Sequence, residues 1–177
     1  MTDSVATETI AMPSGSAIID AIKSAGTQFI VSVPDIVTSD GLLWPISKDQ
    51  ELNLVRVCKE DEGVSICGAM SYNATRALLL MQQTGLMDSL NAIRAIGVDY
   101  QLPVCMMVGL QGKEPALKSA QSASYGVRII EPVLEAMQLR YRVIEEPEDV
   151  GHIRGDIDAA YRDSVPHVFI VARPPCP

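Results

Sequence analysis

Hydrophobic positions along the chain come in two alternating patterns. Ala17, Ile18, Ala21 and Ile22 stripe one side of Ser14–Ala25, with Gly26 as a stop, which predicts a helix. Gln28–Val33 is a short β-branched run closed by Pro34, which predicts a strand. The alternation continues to the end. Strands are predicted at Leu52–Val57, Ala77–Met81, Pro103–Val108, Tyr141–Ile144 and His167–Ala172. Helices are predicted at Glu60–Asn73, Leu86–Ile96, Val127–Gln138 and Asp149–Arg162. Continuous apolar strands separated by helices of about 10–15 residues indicate a parallel sheet covered on both faces. The expected fold class is α/β: a doubly wound, mostly parallel six-stranded sheet with helices on both faces and right-handed crossovers. Pro45–Gln50 and Gln111–Ser124 are the longest stretches read as irregular, and Arg173–Pro177 is a proline-rich end. Residues 1–13 read as a flexible tail, leaving 14–177 as one domain.

Composition narrows the class. Of 177 residues, 47% are hydrophobic and 20% charged, enough apolar material for a full core. No apolar run approaches the ~20 residues that span a bilayer. The start lacks the positive and apolar regions of a signal peptide. The net charge of -8 argues against nucleic acid, whose phosphates demand a basic face. A cytoplasmic protein without nucleic-acid or membrane partners is expected. Cys58, Cys67, Cys105 and Cys176 form no C-x-x-C pair and read as reduced, buried cysteines. His152 and His167 lack a second ligand at metal spacing, so both read as structural and no metal site is expected in this chain.

In an open α/β sheet, ligands sit beyond the carboxyl ends of the strands. Four predicted loops leave such ends: Pro34-Asp35, Lys59-Glu60, Gln82–Leu86 and Gly109–Lys113. The polar residues collect there. Read as residues alone, Glu60, Asp61 and Glu62 are first-turn acids that complement a helix dipole. Thr84 is an N-cap, Asp35 a turn aspartate and Lys113 a solvated loop lysine. Gly-x-Gly-x-x-Gly and P-loop patterns are absent. One class of function consistent with this is a non-catalytic doubly wound module that binds a nucleotide or a partner.

The other class comes from resemblance. Glu60 opens a small-residue helix nine residues before Ala69, and Met81-Gln82-Gln83-Thr84-Gly85-Leu86-Met87-Asp88-Ser89-Leu90-Asn91 follows a strand. This resembles the pyrimidine-binding domain of thiamine-diphosphate-dependent 2-oxo-acid decarboxylases, whose pattern is Met-Gln-Asn-Ser-Gly-Leu-Gly-Asn-Ser-x-Asn. Within that family it is similar to the sulfopyruvate decarboxylase alpha subunit and to phosphonopyruvate decarboxylase. Ser32-Val33-Pro34-Asp35 resembles the latter's Gly-Val-Pro-Asp. The chain departs at Met87 and Asp88, and Gly109-Leu110-Gln111-Gly112-Lys113 lacks the His-Arg pair of sulfopyruvate decarboxylases.

The resemblance implies a lyase subunit acting on a small, polar or anionic 2-oxo acid. It implies that the Glu60 carboxylate bonds the pyrimidine N1′ and favours the tautomer able to deprotonate the thiazolium C2. A neighbouring register assigns this role to Glu62. Glu60, Gln82, Thr84, Gly85, Leu86 and Asn91 would meet the cofactor, and Asp35, Gln111, Lys113 and Gln121 the substrate. A Gly-Asp-Gly motif for Mg²⁺ and the diphosphate is missing. The resemblance therefore implies a separate diphosphate-binding beta subunit bearing that motif, and a hetero-oligomer.

Overall fold

A computed structural model describes residues 11–177. The first ten residues, most of the predicted tail, lie outside the described residues. At 11–13 the chain runs from an exposed Ala11 to a buried Pro13, whose carbonyl accepts the Cys176 N–H at 3.0 Å.

Six strands form one sheet: β1 Phe29–Ser32, β2 Asn53–Arg56, β3 Ala77–Gln82, β4 Cys105–Gly109, β5 Arg140–Ile144 and β6 His167–Val171. Their order is β2-β1-β3-β4-β6-β5, and every neighbouring pair is parallel. The helices are α1 Gly15–Ser24, α2 Trp44–Ile46, α3 Glu60–Tyr72, α4 Gln83–Asp88, α5 Leu90–Ala92, α6 Tyr125–Arg128, α7 Ile130–Ala136 and α8 Ile153–Asp163. This is the doubly wound α/β architecture expected. Among the described residues no helix is long and apolar enough to cross a membrane.

Strand residues alternate between two cores because successive side chains point to opposite faces. Ile30, Leu78, Leu80, Met107 and Phe169 pack with α1, α2 and α8 on one face. Val31, Leu79, Met81, Met106 and Ile170 pack with α3, α4 and α7 on the other. Gly63 lets α3 settle on the sheet: a Cβ there would lie 2.5 Å from Leu79 Cδ1.

The crossovers create the crevice. The chain leaving β1 runs to the first face, where Leu42, Leu43 and Ile46 are buried. The chain leaving β3 runs to the second, where Leu86 is buried. Adjacent strands whose exits diverge define a topological switch point, where open α/β sheets bind ligands.

Several local expectations are corrected. Ser39–Leu43 forms a π turn that runs directly into α2, so part of the stretch read as irregular at Pro45–Gln50 is helical. Pro45 is the second residue of α2. The helix read as Leu86–Ile96 begins at Gln83 and continues through α5 to a π segment, Ile93–Asp99. Gln82, not Thr84, occupies the N-cap, with extended φ −91° and ψ 160°, so Thr84 lies inside the helix. Cys67 and Cys105 are buried as expected, but Cys58 and Cys176 are exposed.

Candidate active site

Glu60 is the first residue of α3, just past the end of β2, and is half-buried. Its carboxyl lies over Gly85 in α4. A Cβ built on Gly85 would stand 2.2 Å from both Cδ and Oε1 of Glu60. No side chain larger than hydrogen fits between the carboxyl and the α4 backbone. Among the described residues Glu60 makes no side-chain hydrogen bond or ion pair, so its oxygens are uncommitted.

Glu62 is placed differently. It is exposed, and its Oε2 accepts the N–H groups of Cys58 at 3.1 Å and Lys59 at 3.4 Å. That carboxylate caps its own helix, satisfying donors that precede the first turn.

The turn from β3 into α4 brings further polar groups together. Gln82 Nε2 donates to Gln111 Oε1 at 2.6 Å and to Thr84 Oγ1 at 3.3 Å. Gln83, which sequence reasoning did not single out, is buried. Its Nε2 donates to the Gln111 carbonyl at 2.9 Å and its Oε1 accepts the Gln111 N–H at 2.8 Å. Gln82, Thr84 and Gln111 thus form one cluster on the turn that leads to Gly85 and Glu60. Leu86 is fully buried in the second core and anchors this turn from below.

The remaining candidates lie apart from that cluster or are committed elsewhere. Asp35 is buried, and its Oδ1 accepts Val37 N–H at 2.7 Å and Thr38 N–H at 3.0 Å, while Oδ2 accepts the Thr38 hydroxyl. Its carboxylate folds the β1 exit loop, which packs on Gly109 of β4. Lys113 is not a solvated loop lysine. Its side chain is 1% exposed and its Nζ pairs with Glu145 at 2.6 Å. Arg173 adds a second cation, 3.6 Å from Glu145 and 2.6 Å from Glu146. Asn91 is exposed and accepts from Arg94 at 3.2 and 3.1 Å. Gln121 is exposed at the end of a 3₁₀ turn in the outer loop. No three or more His, Cys, Asp or Glu side chains come together as a metal site among the described residues.

These features define a doubly wound α/β domain with a polar cluster at the carboxyl ends of its strands. It superposes on benzoylformate decarboxylase from Polynucleobacter necessarius with a TM-score of 0.65 and 12% identity, over 90% of this chain and 30% of that one. No family model matches the chain. Its sequence relatives are more specific. It is 27% identical over 139 residues to the sulfopyruvate decarboxylase subunit alpha of Methanococcus maripaludis, covering 78% of this chain and 81% of that subunit. It is 24% identical over 156 residues to the sulfopyruvate decarboxylase of Methanosarcina acetivorans, covering 88% of this chain but 39% of that longer protein. The chain thus resembles sulfopyruvate decarboxylase alpha subunits over most of its length.

Proposed function

We propose that this chain is the pyrimidine-binding subunit of a thiamine-diphosphate-dependent decarboxylase acting on a small 2-oxo acid with a polar or anionic tail. The observation that carries this reading is the Glu60 carboxyl seated against Gly85 with no committed hydrogen-bond partner, beside the switch point of the sheet. The relatives named sulfopyruvate decarboxylase support the reaction class.

The residues present fit the cofactor's pyrimidine end. Glu60 offers a carboxylate that can hold a proton at the pyrimidine N1′, and Gly85 keeps the space beside it free of a side chain. Gln82 and Thr84 supply polar groups on the same turn, and Leu86 fixes that turn to the core. When bound, thiamine diphosphate supplies the electron sink for loss of CO₂, while the protein supplies position and polarity. Gln111 is the residue of this chain best placed to meet substrate. Lys113 and Asp35 shape the surrounding loops, and Asn91 and Gln121 lie outside the cluster.

The diphosphate and its Mg²⁺ are assigned to a partner, because the sequence carries no Gly-Asp-Gly motif and the described residues hold no acidic cluster that would replace it. The partner is a diphosphate-binding beta subunit, and the complex is a cytoplasmic hetero-oligomer. Support comes from the designation "subunit alpha" of the first relative and from the longer M. acetivorans protein, of which this chain matches a part. The domain itself comprises residues 14–177.

The test is CO₂ release from 2-oxo acids by the chain combined with that partner, with Glu60→Gln and Glu62→Gln compared. Glu60→Gln should lower turnover by about 10²–10⁴ without loss of assembly, as expected for a general acid–base group. Glu62→Gln should lose some helix capping and keep its activity. The opposite result would move the proton-holding role to Glu62, and two active variants would defeat the cofactor assignment.

A further inference from the structure

Gln83 is a carboxamide in an apolar place. It is 5% exposed, between the core residues Met81 and Leu86. Both ends of its side chain serve one residue, Gln111, accepting its N–H and donating to its carbonyl. A backbone N–H only donates and a carbonyl oxygen only accepts, so this pairing fixes the orientation of the Gln83 amide. The β3–β4 ladder ends at the register pair Gln82↔Gly109. Beyond it β3 turns into α4, and its backbone no longer reaches the strand beside it. The Gln83 side chain takes over, adding a two-bond rung to Gln111 past the end of the ladder. Gln82 then fixes the other end of the same residue, donating to Gln111 Oε1.

The consequence lies at the site. The β3–α4 turn carries Gly85, on which Glu60 rests, while Gln111 belongs to the loop leaving β4. Gln83 joins the two. We propose that Gln83 is a positioning residue that holds the Gln111 loop in register with the Glu60–Gly85 pair and thereby sets substrate affinity. The substrate half of this proposal rests on the decarboxylase reading; the clamp rests on geometry alone. Among the described residues Glu60 makes no hydrogen bond to Gln83 or Gln111, so the loss of the clamp should act on substrate binding more than on turnover.

Two measurements test it, on Gln83→Met, which keeps the length and removes both bonds, and Gln83→Glu, which keeps an acceptor for the Gln111 N–H. In the purified chain, amide exchange at Gln111 should quicken about tenfold or more in Gln83→Met, the scale of two lost hydrogen bonds. Gln83→Glu should retain part of the protection. In the complex with the partner, Gln83→Met should raise KM for the 2-oxo acid about tenfold, with kcat within about threefold of wild type. Unchanged exchange at Gln111 in a folded variant overturns the clamp. A collapse of kcat at constant KM overturns the substrate role. If Gln83→Met does not fold, Gln83→Glu is judged by the same two criteria. A wild-type complex that releases no CO₂ from any 2-oxo acid removes the substrate role together with the decarboxylase reading, and the exchange result still decides the clamp.

Discussion

Gly85→Ala separates catalysis from stability in a way that few other changes here can. Gly85 lies within α4, and its φ is not in the left-handed region, so the backbone accepts alanine. On helix propensity alone the change should stabilise by about 0.5–1 kcal/mol. Against that, the new methyl would sit 2.2 Å from Cδ and Oε1 of Glu60 and 2.3 Å from its Cγ. Carbon atoms in contact stand about 3.5–4.0 Å apart, so the carboxyl must withdraw by more than 1 Å. Overpacking usually costs about 1–3 kcal/mol, and a half-exposed glutamate that can swing toward solvent belongs at the low end. The two effects nearly cancel, and the melting temperature of the chain should move by less than about 4 °C. Catalysis has no such compensation. A misplacement of about 1 Å at a reacting group can cost about 100-fold, equivalent to about 2.7 kcal/mol. The assay is CO₂ release by the complex, beside thermal unfolding of the chain. The double variant Glu60→Gln with Gly85→Ala should be no slower than Glu60→Gln alone, since both act through one carboxylate. A folded Gly85→Ala enzyme with near wild-type turnover would refute the argument that Glu60 acts from its seat on this glycine.

Two further outcomes are expected. His167 is buried at the start of β6 with its Nε2 unpaired among the described residues; burial pushes its pKa down to about 4, partly opposed by Asp156 at 3.8 Å and assisted by Arg142 and Arg140. The unfolded chain therefore takes up the proton near pH 6.5 and the folded chain only near 4, so stability falls as pH drops through that window, by up to on the order of 3 kcal/mol. Denaturant midpoints of wild type and His167→Gln across this range check it, since only the wild type should carry that slope. Lys113→Met should destabilise by about 1–3 kcal/mol rather than the 3–5 typical of a broken buried pair, because Arg173 still faces Glu145. An unchanged melting temperature with a raised KM would instead make Lys113 a substrate contact.

The sheet was legible because its signal is local. Leu78–Leu80 and Met106–Val108 are apolar without interruption and are buried on both faces, as a parallel interior strand requires. The missed helical segment at Ser39–Ile46 contains Gly41 and Pro45, two residues that punctuate structure when read one at a time. Gly41 is there for packing, not for a turn: a Cβ on it would lie 2.2 Å from the Pro175 carbonyl oxygen, from a segment far along the chain. The site divides in the same way. The location of Glu60 at a strand exit followed from element order. The commitments of Lys113, Asp35 and Gln83 did not. Lys113 meets Glu145, 32 positions on, and Gln83 meets Gln111, 28 positions on. Nothing in the loop composition announces those partners, and two consecutive glutamines give no sign that one is buried and the other is not.

What distinguishes chemical from structural polar groups here is whether their bonding capacity has been used. Along the carboxyl edge of the sheet, the β5–β6 end is closed. Lys113 and Arg173 are balanced by Glu145 and Glu146, and Arg173 also donates to the carbonyls of Pro115 and Glu145. Asp35 is closed as well, with three donors drawn from its own loop. Ion pairs and turns of this kind hold loops in place, and their charges are not free to meet a ligand without breaking something. Among the described residues Glu60 differs from Asp35, Glu62 and Glu145 in making no such bond. Its carboxyl rests over Gly85, by contact and not by hydrogen bonds. A carboxylate that rests beside the turn while its lone pairs stay available can exchange a proton with a bound ring. Glu62, two residues away and of the same chemistry, is not available in this way because its oxygen caps α3. The proposal takes Glu60 over Glu62, a choice left open by spacing, because Glu60 is the one whose oxygens the fold leaves uncommitted.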